Sequence, residues 1–379
     1  MNKHSVDSFF ALIRAGLWEK EALLPNVEVD FKEVYRLAEE QSVVGIVAAG
    51  LEHLKTLEVP KEVKFAFVST VVQLEQCNAE MNAFIEELTE KMHKEGIKAL
   101  LVKGQGIAQC YERPLWRSPG DVDLLLDDDN YELANQWLPT IGQVTAEEIT
   151  SKKHSTYKVD EWDVELHGTL RGRVNSRSDK VIDEVQEDTF KHGKVRCWRN
   201  GNTDVLIPTP DNDVIFVFSH ILQHFFRGGI GLRQICDWCR LLGTYQLEID
   251  SCLLETRLHK MDLIMEWRTF AALAVNWLGM PVEAMPLYSS QEIYQRKANK
   301  IHDIILKTGN FGFNRDMSFY KRYPYIMSKF ISLYRKTCDL SAQLKLFPKN
   351  ACCAYWGTWR WGLDIVVDHF MKKFEVRNK

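Results

Sequence analysis

Two aspartates one residue apart, Asp121 and Asp123, stand in "RSPGDVDLLLDDDN" (Arg117 to Asn130), where they follow a glycine and alternate with aliphatic residues. Strand side chains alternate in direction, so Asp121, Asp123 and Leu125 share one face and Val122, Leu124 and Leu126 the other. Two carboxylates pointing the same way at the mouth of an apolar strand resist ionisation unless a cation or hydrogen-bond donors compensate. A second run, "WDVELHG", repeats the alternation and sets Asp163, Glu165 and His167 on one face. A sheet that places the two runs side by side gathers Asp121, Asp123 and Glu165. Three carboxylates suit a hard divalent cation such as Mg²⁺, which is held by a few carboxylates plus water and substrate phosphates. The plainer reading is acids on a solvated sheet face. The glycine turn and the apolar opposite face favour a site for the aspartate pair, whereas Glu165 taken alone fits the plainer reading. His167 reads as a contact to the ligands or substrate, or as structural.

The elements that must position these groups follow from the periodicity. From Ser5 to about Gly96 the pattern is helical, with Asp30 as an N-cap, a helix starting at Pro60, and an apolar stripe of Met81, Phe84, Ile85, Leu88 and Met92. Next come the short apolar run "IKALLVKG", a short helix over "QGIAQCYE", the strand "GDVDLLL" and a helix "NYELANQWLPTIG". The extended segments "HSTYKVD" and "WDVELHG" predict a tight hairpin, and "RNGNT", with Asn200-Gly201, a second one. After "PTPDND", with Asp211 or Asp213 as N-cap, the pattern is helical nearly to the end. The expected fold is α+β: a small mixed β-sheet in β-α-β-α-β-β order with helices over one face, flanked by helical units. The expected division is an N-terminal helical unit over 1–95, an α+β domain over 96–208 and a C-terminal helical domain over 209–379.

The chain has 379 residues, enough for two or three packed units, and a net charge of -4, which gives no global reason to bind nucleic acid or an anionic membrane. Nine cysteines, an odd number scattered along the chain, read as free thiols in a reducing compartment. Arg14 interrupts the first apolar run, and "TFAALAVNWLGM" is too short to span a bilayer, so a cytoplasmic protein without a membrane span is expected.

The order strand, "KG", helix, arginine, "GDVDLLL", "VELH" resembles the nucleotidyltransferase superfamily that shares the polymerase-β palm. More closely, it resembles a bacterial nucleotidyltransferase-like family in which "LKG", "R…DIDLLV" and "VELHW" recur. The resemblance covers roughly Gly96 to Leu242 and extends into "SHILQHFF…LRQICDWCRLL". It implies a nucleotidyltransferase palm domain, Mg²⁺ or Mn²⁺ as cofactor and an NTP as co-substrate. It also implies that Asp121 and Asp123 are the metal-binding pair and Glu165 the third carboxylate. Lys103 and Gly104 stand where the superfamily's Gly-Ser cradles the triphosphate, and Arg117 matches the arginine before the acidic strand. His220, Arg233 and Asp237 are implied to approach the site. The Gly-Ser itself is replaced by "KGQG". A glycine at a strand end still lets backbone N–H groups face an anion, with Lys103 adding a point charge. The alternatives are a snorkelling Lys103 and an Arg117 that pairs with Asp121.

The function implied is transfer of a nucleoside monophosphate from an NTP to a hydroxyl-bearing acceptor. The alternatives are a non-catalytic nucleotide- or metabolite-binding protein and a helical module that grips protein or RNA. "DDDN" reads as a helix cap. His220 and His224, at i and i+4, lack a third ligand for zinc and read as core or substrate-facing. "CDWC" and Cys352-Cys353 read as small apolar residues in helices. The basic and aromatic segment from Arg315 to Lys349, with "YWGTWRWG" after it, is either a nucleic-acid or membrane-surface face or a set of amphipathic helices packed on the rest; packing is preferred.

Overall fold

The computed structural model describes residues 3–25, 28–55, 58–146, 153–227, 229–314 and 322–357. Four helices come first: α1 (Lys3–Trp18), α2 (Phe31–Glu40), α3 (Val44–Glu52) and α4 (Lys61–Lys94). Asp30 caps α2 as expected, accepting from the backbone N–H of Lys32 and Glu33. Helix α4 begins directly after Pro60 and runs for 34 residues, and Gly96, at φ +74°, lets the chain leave it in a left-handed turn.

The α+β part follows as β1 (Leu100–Leu101), α5 (Gly104–Ala108), β2 (Val122–Leu125), α6 (Asp128–Trp137), β3 (Gln143–Ala146), β4 (His154–Val159) and β5 (Trp162–His167). These strands form one sheet in the order β1-β2-β5-β4-β3. Strands β2 and β5 run parallel, with Asp123 beside Glu165 and Leu125 beside His167, and the other pairs are antiparallel. The β4–β5 hairpin turns over two residues, Val159 pairing with Trp162, and Asp160 takes φ +51°. Asp127 caps α6 by accepting from Asn130 N–H, so the cap reading of "DDDN" holds. Strand β3 was not foreseen. It is a four-residue edge strand, "QVTA", too short to mark itself, and its one large apolar residue, Val144, is exposed.

One face of the sheet carries Val122, Leu124, Leu126, Val164 and Leu166, and these pack on the α4 stripe and on Tyr131, Ala134 and Leu138 of the α6 region. The expected arrangement had helices on one face only. Instead the second face is roofed as well: Leu100 and Leu125 join a larger core built from helices that precede and follow the sheet in the chain. All four residues of β2 are therefore buried, and the reading of acids on a solvated face fails for Asp123, which is 4% exposed.

After α7 (Ser176–Lys191) comes a separate two-stranded hairpin of β6 (Val195–Asn200) and β7 (Thr203–Pro208), with Gly201 at φ +55° in its turn. The helices resume as α8 (Pro210–Arg227), α9 (Leu232–Thr244), α10 (Ser251–Met261), α11 (Ile264–Leu278), α12 (Glu292–Thr308) and α13 (Tyr325–Leu344). Neither Asp211 nor Asp213 is the N-cap of α8. The helix opens earlier, on Pro210, whose fixed φ and missing N–H suit a first turn, and both aspartates lie inside that turn. There Asp213 pairs with Arg196 at 3.3 Å.

Helices from both ends of the chain share one core. The Phe10 ring lies 5.2 Å from that of Trp277, and Trp18 Nε1 donates to Leu278 O at 2.7 Å. Helix α1 meets α3 through glycines: a Cβ on Gly50 would stand 2.0 Å from Leu12 O. In the basic and aromatic segment, Leu340, Leu346 and Phe347 are buried in the same core, while Phe330 and Tyr334 are exposed. Residues 315–321 of that segment, and 358–362 of "YWGTWRWG", lie outside the described residues. Among the described residues no helix is long and apolar enough to cross a membrane. All nine cysteines are free, and Cys236 and Cys239 are buried within α9, where burial pushes their thiols up and away from the thiolate.

Candidate active site

The parallel pairing of β2 with β5 brings together the residues that the alternation selects. Ligand atoms of Asp121, Asp123 and Glu165 all lie within 4.8 Å of one another. Asp121 ends the loop before β2, and the other two project from paired positions on the same face. They line a cavity of 440 Å³, as do Lys103, Gly104, Arg117 and His167.

Asp123 is held by two donors on one oxygen: Lys103 Nζ lies 2.8 Å and His167 Nε2 2.7 Å from its Oδ1. Glu165 Oε2 faces His154 Nε2 at 3.0 Å and His167 Nε2 at 3.5 Å. The electrostatics follow from these contacts. The Asp123 carboxylate next door, then burial, push Asp121 up to about 6. Burial works against ionising Asp123, but Lys103 and His167 outweigh it and hold the carboxyl below its ordinary range. Burial likewise opposes the charge on Glu165, which the hydrogen bonds from His154 and His167 bring well below the usual value. The same bonds overcome burial at His167 and raise it, and the carboxylates do so at Lys103. Lys103 and His167 thus compensate part of a three-carboxylate cluster, and the acid left least compensated is Asp121. That donor set, all oxygen and one acid short of compensation, fits a hard divalent cation.

Lys103 takes φ +60° and ψ -148°, a region that side chains other than glycine rarely occupy, and Gly104 follows at φ +42°. Such a residue costs on the order of 1–3 kcal/mol and persists only where its surroundings enforce it. Here the strained turn, just past the end of β1, aims the ammonium at Asp123 on the neighbouring β2.

Arg117 does not pair with Asp121. Its Nε and Nη2 donate to both oxygens of Asp237 on α9, at 2.8 and 2.9 Å, and Tyr111 Oη donates to the same carboxylate at 2.8 Å. Nearby, Arg233 Nη1 donates to the carbonyls of Ser118 and Pro119, at 3.2 and 2.7 Å. The loop that delivers Asp121 is therefore pinned to α9 at three successive residues.

His220 and His224 of α8 line the cavity with their rings 4.3 Å apart. Burial first, then the charge of Lys103, lower both, His224 to about 4, so they are neutral at pH 7. Among the described residues they belong to no cluster that could ligate a metal. Arg233 and Asp237 line the same cavity, so all three residues that the resemblance brought toward the site reach it.

Two supporting residues, Asn78 and His154, escaped the sequence reading. Asn78 of α4, fully buried, donates to Leu115 O and Arg117 O at 2.7 and 2.8 Å and accepts from Gln105 Nε2 at 2.7 Å. It ties α4 to the arginine loop and to the "KGQG" turn. Its signal was a polar residue inside an apolar stripe. His154 carried a different signal, its register in the hairpin, which pairs it with His167.

No curated protein and no solved structure matches the chain significantly. A family model described as an uncharacterised nucleotidyltransferase matches residues 27–279, more than half of the sequence and the whole of the sheet with its acidic cluster, and the chain belongs to that family.

Proposed function

We propose that the protein transfers a nucleoside monophosphate from an NTP to a hydroxyl-bearing acceptor, with Mg²⁺ or Mn²⁺ held by Asp121, Asp123 and Glu165. The observation that carries this reading is the convergence of the three carboxylates, from β5, β2 and the loop before β2, in the lining of one cavity. A divalent cation there supplies charge neutralisation at the reacting phosphate and a lowered pKa for the attacking hydroxyl.

The chain's own groups account for the rest. Lys103, charged and aimed into the cluster, is placed to meet the phosphates once it yields Asp123 to the cation. Gly104 leaves the backbone of the turn open to them. Glu165 is kept ionised by two histidines, which suits it as a ligand better than as the acceptor of the hydroxyl proton. His167 orients Asp123 and Glu165 together. Arg117, spent on Asp237, contributes by fixing the loop ahead of Asp121 rather than by direct charge on the phosphate. Positioning and charge stabilisation are the main sources of rate in this chemistry.

A non-catalytic binding protein is the second reading, favoured by one observation: Lys103 and His167 both satisfy Asp123 Oδ1 directly. Incubation with each α-phosphate-labelled NTP, Mg²⁺ or Mn²⁺ and a cell extract, beside an Asp121→Ala/Asp123→Ala double variant, separates the two. Label transferred only by the parent protein supports nucleotidyl transfer, and the size of the labelled product identifies the acceptor class. Metal-dependent NTP binding without transfer favours the second reading.

A further inference from the structure

Beside the all-oxygen cluster lies a group of different chemistry. His154 opens β4 and His167 closes β5, and antiparallel pairing sets them directly opposite each other with ring centroids 4.8 Å apart. Glu165, two residues before His167, shares their face. The Nε2 atoms of both histidines approach one oxygen, Glu165 Oε2, at 3.0 and 3.5 Å, and all three ligand atoms fall within 4.8 Å.

These separations can be compared with a coordination shell. Zinc binds imidazole nitrogen at about 2.0–2.1 Å and carboxylate oxygen at about 2.0–2.2 Å, which in a tetrahedron places neighbouring ligand atoms roughly 3.3–3.4 Å apart. The two measured distances bracket that value. The third separation, between the two Nε2 atoms, is within 4.8 Å, so the trio becomes a ligand set when the two rings close on one point and His167 Nε2 leaves Asp123 Oδ1 for the ion. His154 is 31% exposed at its side chain and both histidines line the cavity, so the fourth position opens toward bound substrate or water.

We propose that His154, His167 and Glu165 form a second cation site, selective for a borderline ion of the Zn²⁺ type, which adjoins the hard-cation site and shares Glu165 with it. Imidazole selects zinc, cobalt and related ions, whereas carboxylate and water select magnesium, so the two sites sort ions by ligand chemistry. The shared carboxylate makes them neighbours. Occupancy of one then orients Glu165 for the other.

The test uses the full chain, stripped of metal and titrated with Co²⁺ as a visible reporter. The expected result is an intense visible absorption band of a four-coordinate ion, bleached by one equivalent of Zn²⁺ and not displaced by millimolar Mg²⁺. His154→Ala and His167→Ala should each weaken Co²⁺ binding by about 100-fold or more, while Asp121→Asn keeps the band. His154→Cys guards against misfolding as the cause of a loss: it should restore binding and add a thiolate-to-cobalt band in the near ultraviolet. A weak six-coordinate spectrum alone, displacement by Mg²⁺, or a band that survives His154→Ala overturns the proposal. The readout is the spectrum of the bound ion, so either result is independent of whether nucleotidyl transfer occurs.

Discussion

Removing the charge of Asp237 while keeping its shape tests the role given to Arg117. In Asp237→Asn one amide oxygen can still accept from Tyr111, but the Arg117 guanidinium is left without its counter-charge. Both side chains are nearly sealed, at 5% and 6% exposed, and their contact is bidentate. Stripping one partner from a buried pair costs about 3–5 kcal/mol, because the other charge stays behind uncompensated. At about 2–4 °C per kcal/mol the midpoint of thermal unfolding falls by roughly 6–20 °C, toward the lower end for a chain of this length. The internal control is Asp183→Asn, which breaks the equally bidentate but half-exposed pair with Arg171 and costs about 0–1 kcal/mol. A double variant, Arg117→Met/Asp237→Leu, should recover most of the loss, since apolar replacement of a buried pair is often neutral or stabilising. Differential scanning fluorimetry of the four proteins is sufficient. If Asp237→Asn loses no more than Asp183→Asn, the pair does not anchor the loop, and Arg117 returns to the phosphates.

Three further outcomes follow. Asp121, at about 6 in the folded chain against an ordinary 3.8, is a raised carboxyl. The unfolded state therefore gives up this proton first, and the metal-free protein loses stability as pH rises from about 4 to about 6. Mg²⁺ needs the ionised form, so its stabilising shift in melting temperature should be small at pH 5 and full at pH 7.5; an equal shift at both values refutes the assignment. Lys103→Met removes the ammonium from Asp123 and should tighten Mg²⁺ binding while weakening NTP binding, both read by calorimetry; weakening of both means that Lys103 only supports the fold. Gly50→Ala drives a methyl into the Leu12 carbonyl of α1 and should cost about 1–3 kcal/mol or more, read from a denaturant midpoint, because a backbone contact has no rotamer to yield.

Much of the site was legible because its signals are local. Alternation at period 2 places Asp121, Asp123, Glu165 and His167 on their faces whatever the rest of the chain does, and the apolar stripe of α4 marks the helix that covers the opposite face. Caps at Asp30 and Asp127 are equally local. What stayed hidden depends on distance or on weak pattern. Nothing near Arg117 announces a partner on α9, and the nearest acid, Asp121, was the natural candidate. Strand β3 is only four residues long and lies at the sheet edge, where it buries no large apolar side chain that would mark it. The roof over the second face of β2 comes from helices far from it in the chain on both sides.

His154 is an intermediate case, and it shows where a stricter reading would have gained. The hairpin was expected, and a two-residue turn fixes its register: with Val159 opposite Trp162, counting outward sets His154 opposite His167 and Thr156 opposite Glu165. Both histidines then fall on the face of Glu165, from sequence and turn length alone. Sheet order was the missing piece for the charges. Asp123 owes its low-lying carboxyl to Lys103 from the β1 side and His167 from the β5 side, and only the order β1-β2-β5 puts β2 between them. The strained φ of Lys103 is the local mark of that arrangement. A lysine held in an unfavourable backbone conformation, beside an acid at about 6, marks the point where a divalent cation, if bound, would compete with Lys103 for Asp123.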